Sequence, residues 1–298
     1  VSEQSLSREH VIRTLPAVRW DEPLEECAAV TSLEQGNVLF FPHLTFHLKA
    51  EELALLDPAL VDPKRKNISF DPLKNLLHGM ARKESEPQVK ALLERYYQHC
   101  VKLIRTLLPE YSHAVHSPMN TLRLHPIGAW RDSTSWRKDD SRLHVDAFPS
   151  RPIHGERILR IFTNINPNGE SREWRVGEPF PVLVQRFMSQ LKGYSALSSW
   201  LQQRLGMTKS YRTRYDHIML RLHDAMKADI RYQEQSPQVN LTLPPGSSWV
   251  CFADQTPHAA MSGQYMLEQT FLLPLSGMKN PQNAPLSVLE KLFNRPLL

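Results

Sequence analysis

Leu143-His144-Val145-Asp146-Ala147-Phe148-Pro149 is the stretch that decides how this chain reads, and it is answered far downstream by Thr256-Pro257-His258-Ala259. If residues 143 to 147 run as a strand, its two-residue period puts the His144 imidazole and the Asp146 carboxylate on one face and turns Val145 to the other. His258 then supplies a third ligand. Two histidines and one carboxylate on one face of an octahedral metal leave three positions open, the arrangement of non-heme Fe(II) oxygenases. An HxD triplet has little specificity in a chain with 13 histidines, and the ordinary fate of a single histidine is a solvated or hydrogen-bonded side chain. Context narrows the reading. His258 follows a turn at Pro244-Pro245-Gly246 and the apolar run Trp249-Val250-Cys251-Phe252, and an alternating segment from Tyr265 to Leu273 comes after it. A turn, a buried strand, a polar loop and a histidine succeed one another in the order by which the closing half of a double-stranded β-helix, or jelly roll, delivers its second histidine.

The rest of the chain is consistent with one α+β domain spanning 1–298 around that core. Residues 1–115 read as mainly helical support. The clearest case is Glu86 to Leu108, where Val89, Leu92, Leu93, Tyr96, Cys100, Leu103 and Leu107 recur at three- and four-residue steps. Residues 116–275 form the jelly-roll core, with strands at Met119 to Leu124, Ile158 to Ile165 and Gln238 to Leu243 and a helical insert near 180–229; residues 276–298 are a C-terminal tail. The hydrophobic content of 41% suits a globular protein, and no repeat or low-complexity tract interrupts it. No run of 18 apolar residues is present, and Val1 to His10 is polar without a signal peptide's apolar core, so a cytosolic chain is expected. Cys27, Cys100 and Cys251 are odd in number and widely spaced, which argues against a disulfide framework or a zinc knuckle.

The net charge of +5 and a pI near 9.1 favour an anionic partner without identifying it. Between Arg142 and Arg175 there are six arginines (Arg142, Arg151, Arg157, Arg160, Arg172, Arg175) and no lysine. Guanidinium forks pair bidentately with carboxylates and phosphates, so this segment fits recognition of small acidic groups. Neither an RNA-recognition motif nor zinc-finger spacing nor a long basic arm supports nucleic-acid binding.

The strings His144-Val-Asp-Ala-Phe-Pro-Ser-Arg-Pro152, Arg160-Ile-Phe-Thr-Asn-Ile-Asn-Pro167, Glu173-Trp-Arg-Val-Gly-Glu-Pro179 and Asp254-Gln-Thr-Pro-His-Ala259 resemble the Kdo 3-hydroxylase family over most of the chain. That resemblance implies an Fe(II)- and 2-oxoglutarate-dependent dioxygenase. It would hydroxylate carbon 3 of 3-deoxy-D-manno-oct-2-ulosonic acid (Kdo) in the inner core of lipopolysaccharide, with dioxygen as co-substrate, to give the sugar acid Ko. It places the metal on His144, Asp146 and His258. The distal carboxylate of 2-oxoglutarate then needs a cation. Many dioxygenases carry an arginine roughly ten residues after the second histidine, but no Arg or Lys occurs between His258 and Leu275. Arg160 is the first choice for this anchor, with Phe162 and Asn164 on its strand face; Arg123 and Asn120 are second choices. Arg151, Arg157, Trp174 and Arg175 are candidates for binding the acidic sugar. A Kdo-bearing lipid A precursor further implies peripheral approach to the cytoplasmic face of the inner membrane, where Trp130 and Trp136, with Arg131, Arg137 and Lys138, form a candidate interfacial loop. Three other readings stay open: an iron oxygenase acting on a protein or nucleobase, a non-enzymatic carbohydrate- or nucleic-acid-binding jelly roll, and a zinc hydrolase.

Overall fold

The computed structural model describes residues 6–24, 28–130, 135–191 and 193–298, of Trp130 the backbone only; Cys27 and Arg131 lie outside them. In chain order the strands and α-helices are β1 (Ile12–Thr14), α1 (Ala29–Glu34), β2 (Val38–Phe41), β3 (Ile68–Asp71), β4 (Leu76–His78), α2 (Glu86–Leu107), β5 (His116–Arg123), β6 (Arg157–Asn164) and β7 (Arg172–Gly177). There follow α3 (Phe180–Phe187), α4 (Ala196–Arg204), α5 (Arg214–Ala228), α6 (Ile230–Gln235), β8 (Gln238–Leu243), β9 (Ser248–Phe252), β10 (His258–Ser262), β11 (Met266–Leu273) and α7 (Pro285–Phe293). The strands build an eight-stranded sheet in the order β1-β2-β9-β6-β11-β5-β3-β4 and a facing three-stranded sheet in the order β10-β7-β8. This is the α+β, jelly-roll arrangement the sequence leads one to expect.

Burial on both faces explains the central strands. All eight residues of β11 are buried, as are all five of β9, so neither shows the alternation of a half-solvated strand. On one face of the large sheet lies α2, whose buried stripe includes Val89, Leu92, Leu93, Tyr96, Cys100 and Leu103. The Tyr96 hydroxyl reaches the sheet at Thr163 Oγ1, 3.2 Å away. On the other face the small sheet closes a second core, centred on three aromatic rings. Phe162 stacks on Trp249 with centroids 5.3 Å apart, and Trp174 meets both edge-on. The candidate site lies in this second interior.

Three expectations need correction. Residues 1–115 give more than helical support: besides α1 and α2 they supply the short strands β1 to β4, which extend both edges of the large sheet. Val38–Phe41, which pairs with β9, is a four-residue apolar run, and such runs do not betray their period. The insert is longer than expected, running from α3 through α6, since Asp229 ends α5 and at once caps α6 through the Tyr232 N–H. Residues 276–298 are a docked element more than a tail. Leu286 and Leu289 of α7 are buried in the second core, and the Leu297 carbonyl accepts from the Tyr215 N–H at 2.9 Å.

Arg157, expected among the sugar-binding residues, is instead a structural part of β6. Its side chain is wholly buried, donating from Nε to Asp254 Oδ2 at 2.7 Å and from Nη2 to Gln255 Oε1 at 2.6 Å, with its guanidinium 3.9 Å over the Phe252 ring. It is fully buried and does not line the metal cavity, and its effect is to brace the loop that leads to His258. Removing one member of such a pair strands a buried charge, so Arg157→Ala should destabilise the fold by about 3–5 kcal/mol, read from urea unfolding. A loss under about 1 kcal/mol would show that the pair does not brace the loop.

Candidate metal and cosubstrate site

The expected strand at residues 143–147 does not form. His144 makes a single antiparallel bridge with His258, each backbone N–H donating to the other's carbonyl at 3.1 and 2.9 Å, and the Asp146 N–H donates to Ala253 O at 2.7 Å. The alternation nevertheless holds. Leu143 and Val145 are fully buried in the apolar core, while His144 and Asp146 turn the other way. The insert keeps this segment in place through Gln233 of α6, which accepts from the Leu143 N–H at 2.7 Å and donates to the Leu143 carbonyl at 3.0 Å.

His144, Asp146 and His258 are the one group among the described residues whose ligand atoms cluster so as to hold a metal ion, all within 4.8 Å of one another. Each imidazole donates from Nδ1 to a backbone carbonyl, His144 to Arg142 at 2.7 Å and His258 to Thr256 at 2.9 Å. That fixes the tautomer and leaves each Nε2 to face Asp146 Oδ1, at 3.5 and 3.9 Å. Two neutral histidines and one ionised carboxylate are the protonation states a divalent metal requires. Burial, reinforced by Lys227, pushes the His144 imidazole down to about 3. Burial also lowers His258. For Asp146 burial is the largest influence and works against ionisation, but the Arg160 guanidinium together with His144 and His258 outweighs it and holds the carboxyl well below its usual range.

The triad sits in a cavity of about 200 Å³ whose wall carries five basic side chains (Arg123, Arg137, Arg160, Arg172, Lys227) against three carboxylates (Asp140, Asp146, Glu268). Three of the cations are paired. Arg160 spans Asp146 Oδ2 and Glu268 Oε1, both at 3.0 Å, and Arg123 holds Glu268 Oε2 at 2.9 Å and Asp140 Oδ2 at 3.5 Å. Asp140 is closed from outside by Lys66, and Arg137 pairs with Asp224 at 2.9 Å. Arg172 and Lys227 have no carboxylate within ion-pair distance among the described residues. The Arg172 Nε is buried without a partner, and burial, with Arg123 nearby, lowers its guanidinium to about 9. Gly263, at φ +118°, passes so close over Arg172 that a Cβ would lie 3.0 Å from the arginine Cα.

The expected site residues therefore divide. Arg160, Arg123 and Trp174 line the cavity, and the Trp174 ring stacks on His258 with centroids 5.2 Å apart, its indole N–H buried without an acceptor. Asn120 faces the opposite side of β5 and donates to Leu93 O of α2. Asn164 closes the turn after β6 by donating to Glu170 O and Leu243 O. Arg175 lies on the outer face of β7, donating to Ser141 O and Gln233 O. Arg151 borders a separate groove with Asp71 and Lys209. Sequence reasoning singled out neither Arg172, beyond its place in the arginine-rich segment, nor His223 and Lys227. The last two stand one helical turn apart on α5, His223 with its ring edge-on to His144 at 5.4 Å. The i to i+4 spacing was the available signal, though it marks any helix face.

Between pH about 6.5 and 3 the unfolded chain carries a proton on His144 that the folded chain refuses, so folded stability falls as pH drops through that window. The metal-free protein should unfold at lower urea near pH 5 than near pH 7, with a smaller drop in His144→Gln. An equal drop in both proteins would contradict the burial argument.

Residues 19–296 match the family described as 3-deoxy-D-manno-oct-2-ulosonic acid (Kdo) hydroxylase. The fold is similar to a crystal structure of the Kdo hydroxylase KdoO, a non-heme Fe(II) alphaketoglutarate dependent dioxygenase, in complex with alphaketoglutarate and Fe(III). That similarity has a TM-score of 0.92 and 42% identity over 97% of each chain. The same enzyme in complex with cobalt(II) matches with a TM-score of 0.92 and 43% identity, over 96% of this chain and 97% of that one. No curated protein sequence matches. On its residues, its fold and these similarities, the chain belongs to the Kdo hydroxylase family.

Proposed function

We propose that this protein is an Fe(II)- and 2-oxoglutarate-dependent dioxygenase that hydroxylates carbon 3 of Kdo carried on a lipid A precursor. The observation that carries the reading is the His144, Asp146, His258 cluster, buried in a cavity with a surplus of positive charge, in a chain 42% identical to KdoO over 97% of its length. With Fe(II) bound, the metal and 2-oxoglutarate together would supply dioxygen activation, the cosubstrate ending as succinate and carbon dioxide. The protein's own part is to bind, orient and exclude water. His144 and His258 present lone pairs locked by their Nδ1–H bonds. Asp146 supplies the anionic ligand, and Arg160 holds it ionised.

The cation for the distal carboxylate of 2-oxoglutarate is best supplied by Arg172. Both terminal nitrogens of Arg160 are already committed to carboxylates, and Arg123 is held between Glu268 and Asp140. Among the described residues no carboxylate lies on the planar fork of Arg172, which shares its face of β7 with the unpartnered Trp174 N–H. Arg172→Ala should weaken 2-oxoglutarate binding to the Co(II)-loaded protein by about 10- to 100-fold while leaving Co(II) affinity unchanged, measured by calorimetry. Unchanged 2-oxoglutarate affinity would return the anchor to Arg160.

A lipid-borne acceptor requires the protein to reach a membrane, and none of its described helices is long and apolar enough to cross one. Around α4, Leu197, Trp200, Leu201, Leu205 and Met207 are exposed within eleven residues, Leu197 by 74% and Leu205 by 66%, with Arg204 among them and Lys209 just beyond. Apolar side chains mixed with cations suit shallow insertion into an anionic lipid surface. Trp200→Glu with Leu205→Glu should abolish co-sedimentation with anionic vesicles. Retained binding would move the contact elsewhere.

The function itself is tested by anaerobic loading with Fe(II) and 2-oxoglutarate, then aerobic incubation with Kdo-lipid A and mass analysis. One added oxygen on Kdo, dependent on both and lost in His144→Ala, is expected. Succinate without an oxidised sugar would keep the oxygenase and discard the substrate, and neither product would favour a binding protein.

A further inference from the structure

Among the described residues, Lys227 is the second cation of the cavity with no carboxylate at ion-pair distance, and it comes from the helical insert, not from the sheets. Its side chain is buried, and its ammonium donates to the Arg137 carbonyl at 2.9 Å, leaving two N–H bonds for another acceptor. It lines the cavity together with the three ligands, one helical turn beyond His223, whose ring meets His144 at 5.4 Å, and its carbonyl accepts from Arg142, two residues before His144, at 2.7 Å. Arg172 comes instead from β7, close under Gly263.

We propose that Lys227 binds the carboxylate of the acceptor sugar acid and thereby sets which carbon is presented to the metal. This inference rests on the function proposed above. In a 3-deoxy-2-ulosonic acid the carboxyl carbon and the oxidised methylene are both bonded to carbon 2, so they lie only about 2.5 Å apart. The cation that reads this carboxylate must therefore adjoin the metal. The distal carboxylate of 2-oxoglutarate stands two methylenes beyond its chelating end and calls for a cation set back from it. Two anions thus meet two cations that have no carboxylate partner among the described residues, Lys227 from the insert and Arg172 from β7.

The surroundings of Lys227 extend the subsite. Arg137 borders both the metal cavity and an adjoining groove of about 460 Å³ walled by Trp136, Ser189, Gln190, Arg221 and Asp224. The Arg137 guanidinium lies 4.2 Å over the Trp136 ring and is held by Asp224. This groove has the indole face, arginines and small polar groups that suit the remainder of an acidic saccharide. Lys227 stands where groove and cavity meet.

The test compares wild type, Lys227→Met and Lys227→Arg on Kdo-lipid A and on the same acceptor with its Kdo carboxylate methyl-esterified. Lys227→Met should raise KM for the acid acceptor by about 10- to 100-fold without changing KM for 2-oxoglutarate. Wild type should lose a similar factor on the ester, Lys227→Met should lose little more there, and Lys227→Arg should recover part of the loss on the acid. If Lys227→Met is equally impaired on acid and ester, Lys227 merely holds the Arg137 segment and the inference falls. An unchanged acceptor KM overturns it as well. A wild type that makes succinate but leaves both acceptors untouched removes the proposed substrate, and this inference with it.

Discussion

The reciprocal backbone bridge between His144 and His258 is the constraint on which the rest of the site depends. Two residues 114 positions apart in sequence are fixed by two hydrogen bonds, and their side chains leave the backbone on the same side. Every other feature either holds that bridge or uses it. Gln233 pins the chain at Leu143, Arg157 braces the loop before His258, and the Nδ1 bonds set both rings. Once the bridge is made, Asp146 has no freedom to point elsewhere, because Arg160 takes its second oxygen.

Burying this much charge needs compensation, and the structure supplies it as a chain of alternating sign running Lys66, Asp140, Arg123, Glu268, Arg160, Asp146. Each internal member touches two of opposite sign, the condition under which buried ion pairs survive desolvation. The chain ends on the metal ligand. Three cations of the cavity stand outside it: Arg137, held by Asp224, and Arg172 and Lys227, which among the described residues have no carboxylate partner and are the ones free for anionic ligands.

What the sequence disclosed follows from how locally each feature is encoded. The period-two alternation of residues 143–147 survives although the strand does not, because the direction of a side chain needs only extended backbone, whereas a strand needs a continuous partner. The stripe of α2 was legible because a 22-residue amphipathic helix repeats its signal many times. Val38–Phe41 and the other early strands were not, since short buried runs lack a period. The choice among arginines was equally hidden: Arg157, Arg160 and Arg172 look alike in sequence, and only tertiary pairing separates the one locked in the core, the one shared by two carboxylates and the one left free. The spacing of His223 and Lys227 marks a shared helix face but not the role of Lys227, which depends on where α5 docks.

The two halves of the cavity have different origins in the chain. Strands supply the metal ligands' setting and Arg172, while α5, which lies between β7 and β8 in sequence, supplies His223 and Lys227. Chemistry and selectivity are thus encoded in separable segments. Replacement of one inserted helix could redirect the enzyme to another sugar acid while the oxidising apparatus remained intact, so divergence within this architecture should be concentrated in the connection between those two strands.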